Sequence, residues 1–191
     1  MMFSRLRLIN KNQLGITAIE LMVAITVSAV ITGTITTTIY QVVIGSARTN
    51  NHMTAVSQVQ SAGYWVSHDA HMAQSVELAD ESVDNPDGTR FPFTLTWADW
   101  GTSEVHQVVY TLVDIPGGGL KNLQRSHTFN GTTETSIIAQ FIDPTEKDGE
   151  PQTKCESASR GVVFTVTATV GTGSQEQSET RVYKAVPRCG S

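Results

Sequence analysis

The chain has 191 residues with 13 Lys and Arg against 18 Asp and Glu, a formal net charge of -5, and its length suits one membrane-linked segment and one ectodomain rather than a multidomain enzyme. Three of the bases, Arg5, Arg7 and Lys11, lie in residues 1–15, where there is no acid. The remainder therefore carries ten bases against eighteen acids and repels a phosphate backbone, which excludes nucleic-acid binding by bulk charge. Charged residues make up only 16% of the sequence, against ~25% in ordinary soluble domains, and the abundance of Thr and Ser points to a β-rich domain outside the cytoplasm.

From Leu21 to Ala47 there are 27 consecutive residues without a formal charge, enough to cross a hydrocarbon core that needs ~20 residues as helix. Threonines such as Thr32, Thr34, Thr36, Thr37 and Thr38 make its second half only moderately apolar. The basic flank ahead of it places the amino terminus in the cytoplasm and sends the carboxyl end outward. Beyond the span, Ala55, Val59, Ala62, Val66, Ala73 and Val76 recur at spacings of three, four or seven, the pattern of one narrow apolar helix face. A helix running from Ile16 to about Val76 covers 61 residues, roughly 90 Å at the α-helical rise, so its extra length must pack on the ectodomain. His68, Asp69 and His71 on that stretch read as exposed polar surface, because a His pair without a third ligand makes a poor metal site.

After the helix the acidic, turn-forming stretch from Asp80 to Gly88 breaks the chain. Strands are expected near Phe93–Trp97, Val105–Val113, Leu120–Arg125, Ser136–Ile142, Gly161–Val170 and Glu179–Val186. The clearest is Val162 to Val170, where Phe164, Val166, Ala168 and Val170 alternate with threonines as on a strand with one core face; it should pair with the last strand as a hairpin. One helix followed by a meander of strands defines an α+β fold. The acids Asp143, Glu146, Asp148 and Glu150 crowd one loop without EF-hand spacing and read as solvated surface. Asn130-Gly131 reads as a hairpin turn, and Pro116-Gly117-Gly118-Gly119 as a turn lacking the spacing of a phosphate-binding loop. His52, His106 and His127 are scattered, and no catalytic order of Ser, His and Asp can be drawn from them; no cofactor or metal is indicated.

The two cysteines, Cys155 and Cys189, both fall on the outward side, where a disulfide can form. That bridge would close a loop of about 34 residues and contribute roughly 3–4 kcal/mol in the chain-entropy account. Two free thiols or a metal pair is the alternative, weakened by the lack of a Cys-x-x-Cys or a neighbouring His.

The most informative constellation is Gly15-Ile16-Thr17-Ala18-Ile19-Glu20-Leu21, where a basic leader ends in Gly and an apolar run begins, interrupted only by Glu20. An acid deep in a spanning helix costs ~2.5–3.5 kcal/mol and calls for a partner. An ordinary signal sequence cut near Ala29 or a plain anchor leaves that acid unexplained. Here the chain resembles the type IV pilin and type II secretion pseudopilin superfamily. The resemblance is diagnostic over residues 15–45 and weaker beyond, where segments such as Val109-Tyr110-Thr111-Leu112 look like J-type minor pseudopilins.

The resemblance implies the pilin fold, with the first half of the helix in the membrane and the second on an antiparallel sheet. It divides the chain into a leader (1–15), a transmembrane and assembly helix (16–47), its amphipathic continuation (48–78) and a β-rich ectodomain (79–191). It further implies cleavage between Gly15 and Ile16 by a prepilin peptidase, methylation of the new amino terminus, and pairing of Glu20 with the terminal amine of a neighbouring subunit. The implied partners are that peptidase, other pilin or pseudopilin subunits, inner-membrane assembly machinery and membrane lipid; the implied product is a non-enzymatic filament subunit, major or minor. From another class, a membrane-anchored β ectodomain acting as an adhesin fits the same segments.

Overall fold

The computed structural model describes residues 16–79, 88–99, 101, 104–158 and 161–188. The helix α1 spans Ala18–Met72, and the chain divides into two compact units, residues 1–45 and 46–191.

In the first unit the described chain is helical from Ala18 onward. Val, Ile, Leu, Ala and Met dominate it, no proline interrupts it, and the hydroxyls of its threonines bond back to the preceding turn. It is long and apolar enough to cross a membrane.

In the second unit, residues 46–72 of α1 pack on an antiparallel sheet. Ala55, Val59, Ala62, Gly63, Val66, Asp69 and Ala70 are buried, one side chain or two per turn on a single face, as the three-and-four spacing requires. The strands are β1 (Ser75–Leu78), β2 (Phe93–Ala98), β3 (Val105–Asp114), β4 (Lys121–Phe129), β5 (Thr132–Ile142), β6 (Glu146–Lys147), β7 (Glu150–Pro151), β8 (Lys154–Ala158), β9 (Gly161–Val170) and β10 (Gln177–Ala185). The main sheet runs β1-β2-β3-β4-β5-β9-β10 with β8 also on β9, while β6 and β7 form a separate hairpin. Its inner face supplies Phe93, Leu95, Tyr110, Leu123, Phe164 and Val166 to the core that the helix covers. The expected hairpin of β9 and β10 is present, with Val166 opposite Arg181 and Val162 opposite Ala185. Asn130 and Gly131, with φ of 48° and 75°, make the expected tight turn between β4 and β5 in the left-handed pair of conformations that such hairpins favour.

The helix does not reach Val76. It ends at Met72, and Ser75–Leu78 becomes the edge strand, pairing Val76 with Leu95 and Leu78 with Phe93. The step from Ala73 to Val76 suits a helix face, but Gln74 N–H already donates to Thr96 O at 2.8 Å, and the ladder to β2 satisfies the backbone that helix would otherwise pair.

Between β5 and β9 the ladder is short, with Ile142 opposite Ala168 and Asp143 N–H donating to Thr167 O at 2.9 Å, and the helix braces this seam. Ser61 Oγ donates to Ile138 O at 2.6 Å, and Gln140 N–H donates to Gln58 Oε1 at 2.7 Å, so backbone groups of β5 that lack a strand partner are answered by helix side chains. On the other flank Tyr183 Oη donates to Val59 O at 3.1 Å. Its ring lies over Gly63, where a Cβ would stand 2.0 Å from Tyr183 Cζ; only glycine lets helix and strand approach this closely.

Candidate functional site

Thr17 caps α1: its Oγ1 accepts from Glu20 N–H at 3.4 Å, and its carbonyl accepts from Leu21 N–H at 3.1 Å. Thr-x-x-Glu is the capping-box pattern, and Glu20 lies in the first turn, where its negative charge opposes the positive end of the helix dipole. The signal for this local role of Glu20 is its spacing of three from Thr17, which the isolation of the acid in an apolar run overshadows. Ile16 is 73% exposed, and Glu20 is exposed with no ion pair among the described residues. Gly15 lies outside the described residues.

Every large apolar side chain from Ile19 to Val43 is at least half exposed, so nothing in the chain's own described fold covers this segment. Its threonines do not impede burial. Thr26 Oγ1 donates to Met22 O, Thr36 Oγ1 to Thr32 O, Thr37 Oγ1 to Gly33 O and Thr38 Oγ1 to Thr34 O, all at 2.8 to 2.9 Å. With their hydroxyls bonded inside the helix, these four threonines offer no unpaired donor to their surroundings, as burial in lipid or among helices requires of them. Ala29, Gly33 and Thr37, four residues apart, form a low strip that lets another helix come close.

In the ectodomain the chemistry-bearing residues converge where the helix meets β3 and β4. Asp69, 1% exposed, was expected on the surface; it instead accepts from Arg125 Nε at 2.6 Å, Arg125 Nη2 at 3.1 Å and Tyr110 Oη at 2.5 Å. The signal lay in the spacing, since Asp69 falls three after Val66 and seven after Ala62 on the apolar face. The Arg125 guanidinium also stands 5.0 Å over the Trp65 ring. Burial works against the charge on Arg125, but the hydrogen bonds and attraction of Asp69 outweigh it and raise its pKa; burial and Asp69 together hold the Tyr110 phenol protonated. His68 Nδ1 lies 3.3 Å from Asp69 Oδ1, and His71 Nδ1 lies 3.3 Å from Val186 O; the two share no hydrogen-bond partner.

Strand register also unites two histidines 21 residues apart. His106 Nδ1 and His127 Nε2 are 3.1 Å apart, with Trp97 and Phe129 stacked on His106. One nitrogen of the pair must carry the proton and the other accept it. Burial, then the charges of Arg125 and His106, depress the pKa of His127 below its ordinary value, with Asp69 and Glu134 opposing. A depressed folded-state value means that the unfolded chain binds the extra proton first as pH falls. The stability this site contributes is complete above about pH 6.5 and is lost as pH falls below it. Denaturant unfolding in detergent should show a drop in midpoint from pH 7.5 to 5.5 that is larger for the wild type than for His127→Phe; equal drops would remove His127 from the account.

Asp143 does not offer a cation an open carboxylate. It is 8% exposed and accepts from Thr145 N–H, Thr145 Oγ1, Gln152 Nε2 and Thr169 Oγ1. Asp148 and Gly149, with φ of 57° and 84°, form the tip of the β6–β7 hairpin, and Glu150 pairs with Lys154. Among the described residues no three His, Cys, Asp or Glu side chains are grouped to hold a metal. Residues 80–87 lie outside the described set. Cys155 is buried on β8, and desolvation pushes its thiol up to about 12; Cys189, its expected partner, lies outside the described residues.

Comparison with known protein families, with curated proteins and with solved structures gives no match.

Proposed function

We propose that the protein is a structural subunit, a pilin or pseudopilin, of a type IV pilus-like filament or a type II secretion pseudopilus. It is made as a precursor, cut between Gly15 and Ile16 by a prepilin peptidase, and held as a single-pass membrane protein with its ectodomain outside the cytoplasm until its helix enters the filament. The observation that carries this reading is the helical segment from Ile19 to Val43, whose large apolar side chains are all exposed and whose one charged group, the carboxylate of Glu20, has no ion pair among the described residues. The satisfied threonine hydroxyls support it, since the same segment suits both lipid and a bundle of like helices. The fold's pilin character rests on this segment and on the α+β order of elements. Neighbouring subunits and the assembly machinery are its partners, and catalysis belongs to the processing enzymes.

The capping of α1 by Thr17 favours a second reading, in which Glu20 serves only its own helix and the protein is an uncleaved anchor bearing an adhesin-like ectodomain. Mass spectrometry of the mature protein separates the two. A first residue at Ile16 is expected; an intact Met1 establishes the anchor, and a start at Val30 an ordinary signal sequence.

A further inference from the structure

Two histidines near the end of α1 are each held in one tautomer by what they touch. His68 Nδ1 faces Asp69 Oδ1 and His71 Nδ1 faces Val186 O, both at 3.3 Å. A carbonyl oxygen can only accept, and the Asp69 carboxylate already accepts from Arg125 and Tyr110, so in both rings Nδ1 is the nitrogen that carries the proton. In the neutral form of each ring the lone pair is then on Nε2. Among the described residues neither Nε2 has a hydrogen-bond partner.

Both side chains line one groove of about 460 Å³, whose other wall includes Arg181 and Tyr183 of β10. Residues three apart on a helix are neighbours, with Cβ atoms ~5–6 Å apart, close enough for two imidazoles to bind one ion at ~2.0–2.1 Å. An oxygen acceptor behind the ring is also the usual second contact of a metal-binding histidine, where it fixes the tautomer and raises the basicity of the other nitrogen. Here both rings have one, and the acceptor behind His68 is itself immobilised in the buried network of Arg125 and Tyr110. The geometry points to an open site for a divalent transition metal on His68 Nε2 and His71 Nε2, taking Cu²⁺ most tightly and Ni²⁺ and Zn²⁺ less so. Two nitrogens fall short of the ligand set of a closed zinc site, so water completes the shell and the ion exchanges. Arg181 opposes a cation in this groove, but its Nε lies 3.2 Å from Glu179 Oε1, and that carboxylate offsets its charge. The other close pair, His106 and His127, is no rival, because its facing nitrogens are spent on each other at 3.1 Å. The site is independent of the proposed function and holds whether or not the chain enters a filament.

The test adds Cu²⁺ alone to the full chain in detergent at about pH 7.5, above the usual imidazole range, with no affinity tag and with thiols alkylated. Electron paramagnetic resonance reads the nitrogen couplings, and a competition titration reads the affinity. Coupling to imidazole nitrogens is expected. His68→Gln and His71→Gln should each weaken binding by about tenfold or more, since even a lost second contact behind a metal-bound histidine costs ~10–100-fold; His52→Gln should change nothing. Both histidines are exposed, so circular dichroism of the variants should match the wild type. A wild type without imidazole coupling overturns the inference, as does binding that neither substitution weakens or that only one does. Displacement of the Cu²⁺ by an equal concentration of Ca²⁺, which seeks oxygen ligands, overturns it too.

Discussion

Replacing Glu20 by Ala is expected to abolish or sharply reduce incorporation into filaments while leaving insertion into the membrane intact. No charge follows Glu20 until after Ala47, and removing the one acid of the apolar run eases its passage into lipid. Assembly responds in the opposite direction. If Glu20 answers the terminal amine of a neighbouring Ile16, the substitution strands that amine among apolar helices, a loss of ~3–5 kcal/mol for a fully buried broken pair and less where the cytoplasmic end stays wet. Because Thr17 and Glu20 also form a capping-box pattern, Ala removes a favourable first-turn charge as well, worth only ~0.3–1 kcal/mol. Glu20→Gln distinguishes the two effects. It keeps the shape and an oxygen acceptor in the first turn but lacks the charge, so an assembly role predicts that it fails nearly as badly as Ala. Sheared filaments are compared with membrane fractions for the three proteins; equal filament yield from all three would leave Glu20 as a helix cap and nothing more.

The parts of this architecture legible in the sequence are those whose residues repeat within one element. The alternation from Val162 to Val170 marks β9 to the residue, because each inner side chain is apolar and each outer one a threonine or valine. The helix face from Ala55 to Ala70 is as plain, although the same spacing carries the expected helix on to Val76, past its end at Met72. What could not be read depends on partners distant in sequence. In β8 only Cys155 is buried, so Lys154–Ala158 has no alternation to show, and it is a strand because β9 offers it a ladder. In β1 four residues are too few to separate a strand from the end of a helix. His106 and His127 meet only because β3 and β4 pair with Val108 opposite His127, a register that no local pattern specifies. Asp143 looked like solvated surface because its donors, Thr145, Gln152 and Thr169, arrive from three separate places. At the candidate site the position was even: Glu20 stood out by its isolation, whereas Asp69 hid among polar neighbours although it occupied a core position.

Asp69→Ala should be the most damaging single change in the ectodomain, at about 3–5 kcal/mol, the range for removing one partner of a buried pair. Its carboxylate is all but inaccessible, and Arg125 is 14% exposed at the side chain, so the guanidinium it leaves cannot simply turn into water. The Trp65 ring above it supplies a cation–π contact of ~0.5–2 kcal/mol, which offsets part of the loss. Tyr110 is left with a buried hydroxyl and no acceptor, a further penalty of ~1–3 kcal/mol that the alanine cavity relieves only if water enters. Asp69→Ala combined with Arg125→Leu and Tyr110→Phe should cost less than Asp69→Ala alone, because the triple variant leaves no orphaned polar group where three were joined. That reversal is the signature of a satisfied network, as distinct from a residue that merely fills space. Denaturant unfolding of the wild type, the single and the triple variant measures it directly. A triple variant no more stable than Asp69→Ala would mean that the network's worth lies in packing and not in the pairing of Asp69 with Arg125 and Tyr110. Membrane insertion, which depends on residues 18–45, should be the same in all three proteins, so the loss is confined to the unit in which helix and sheet meet.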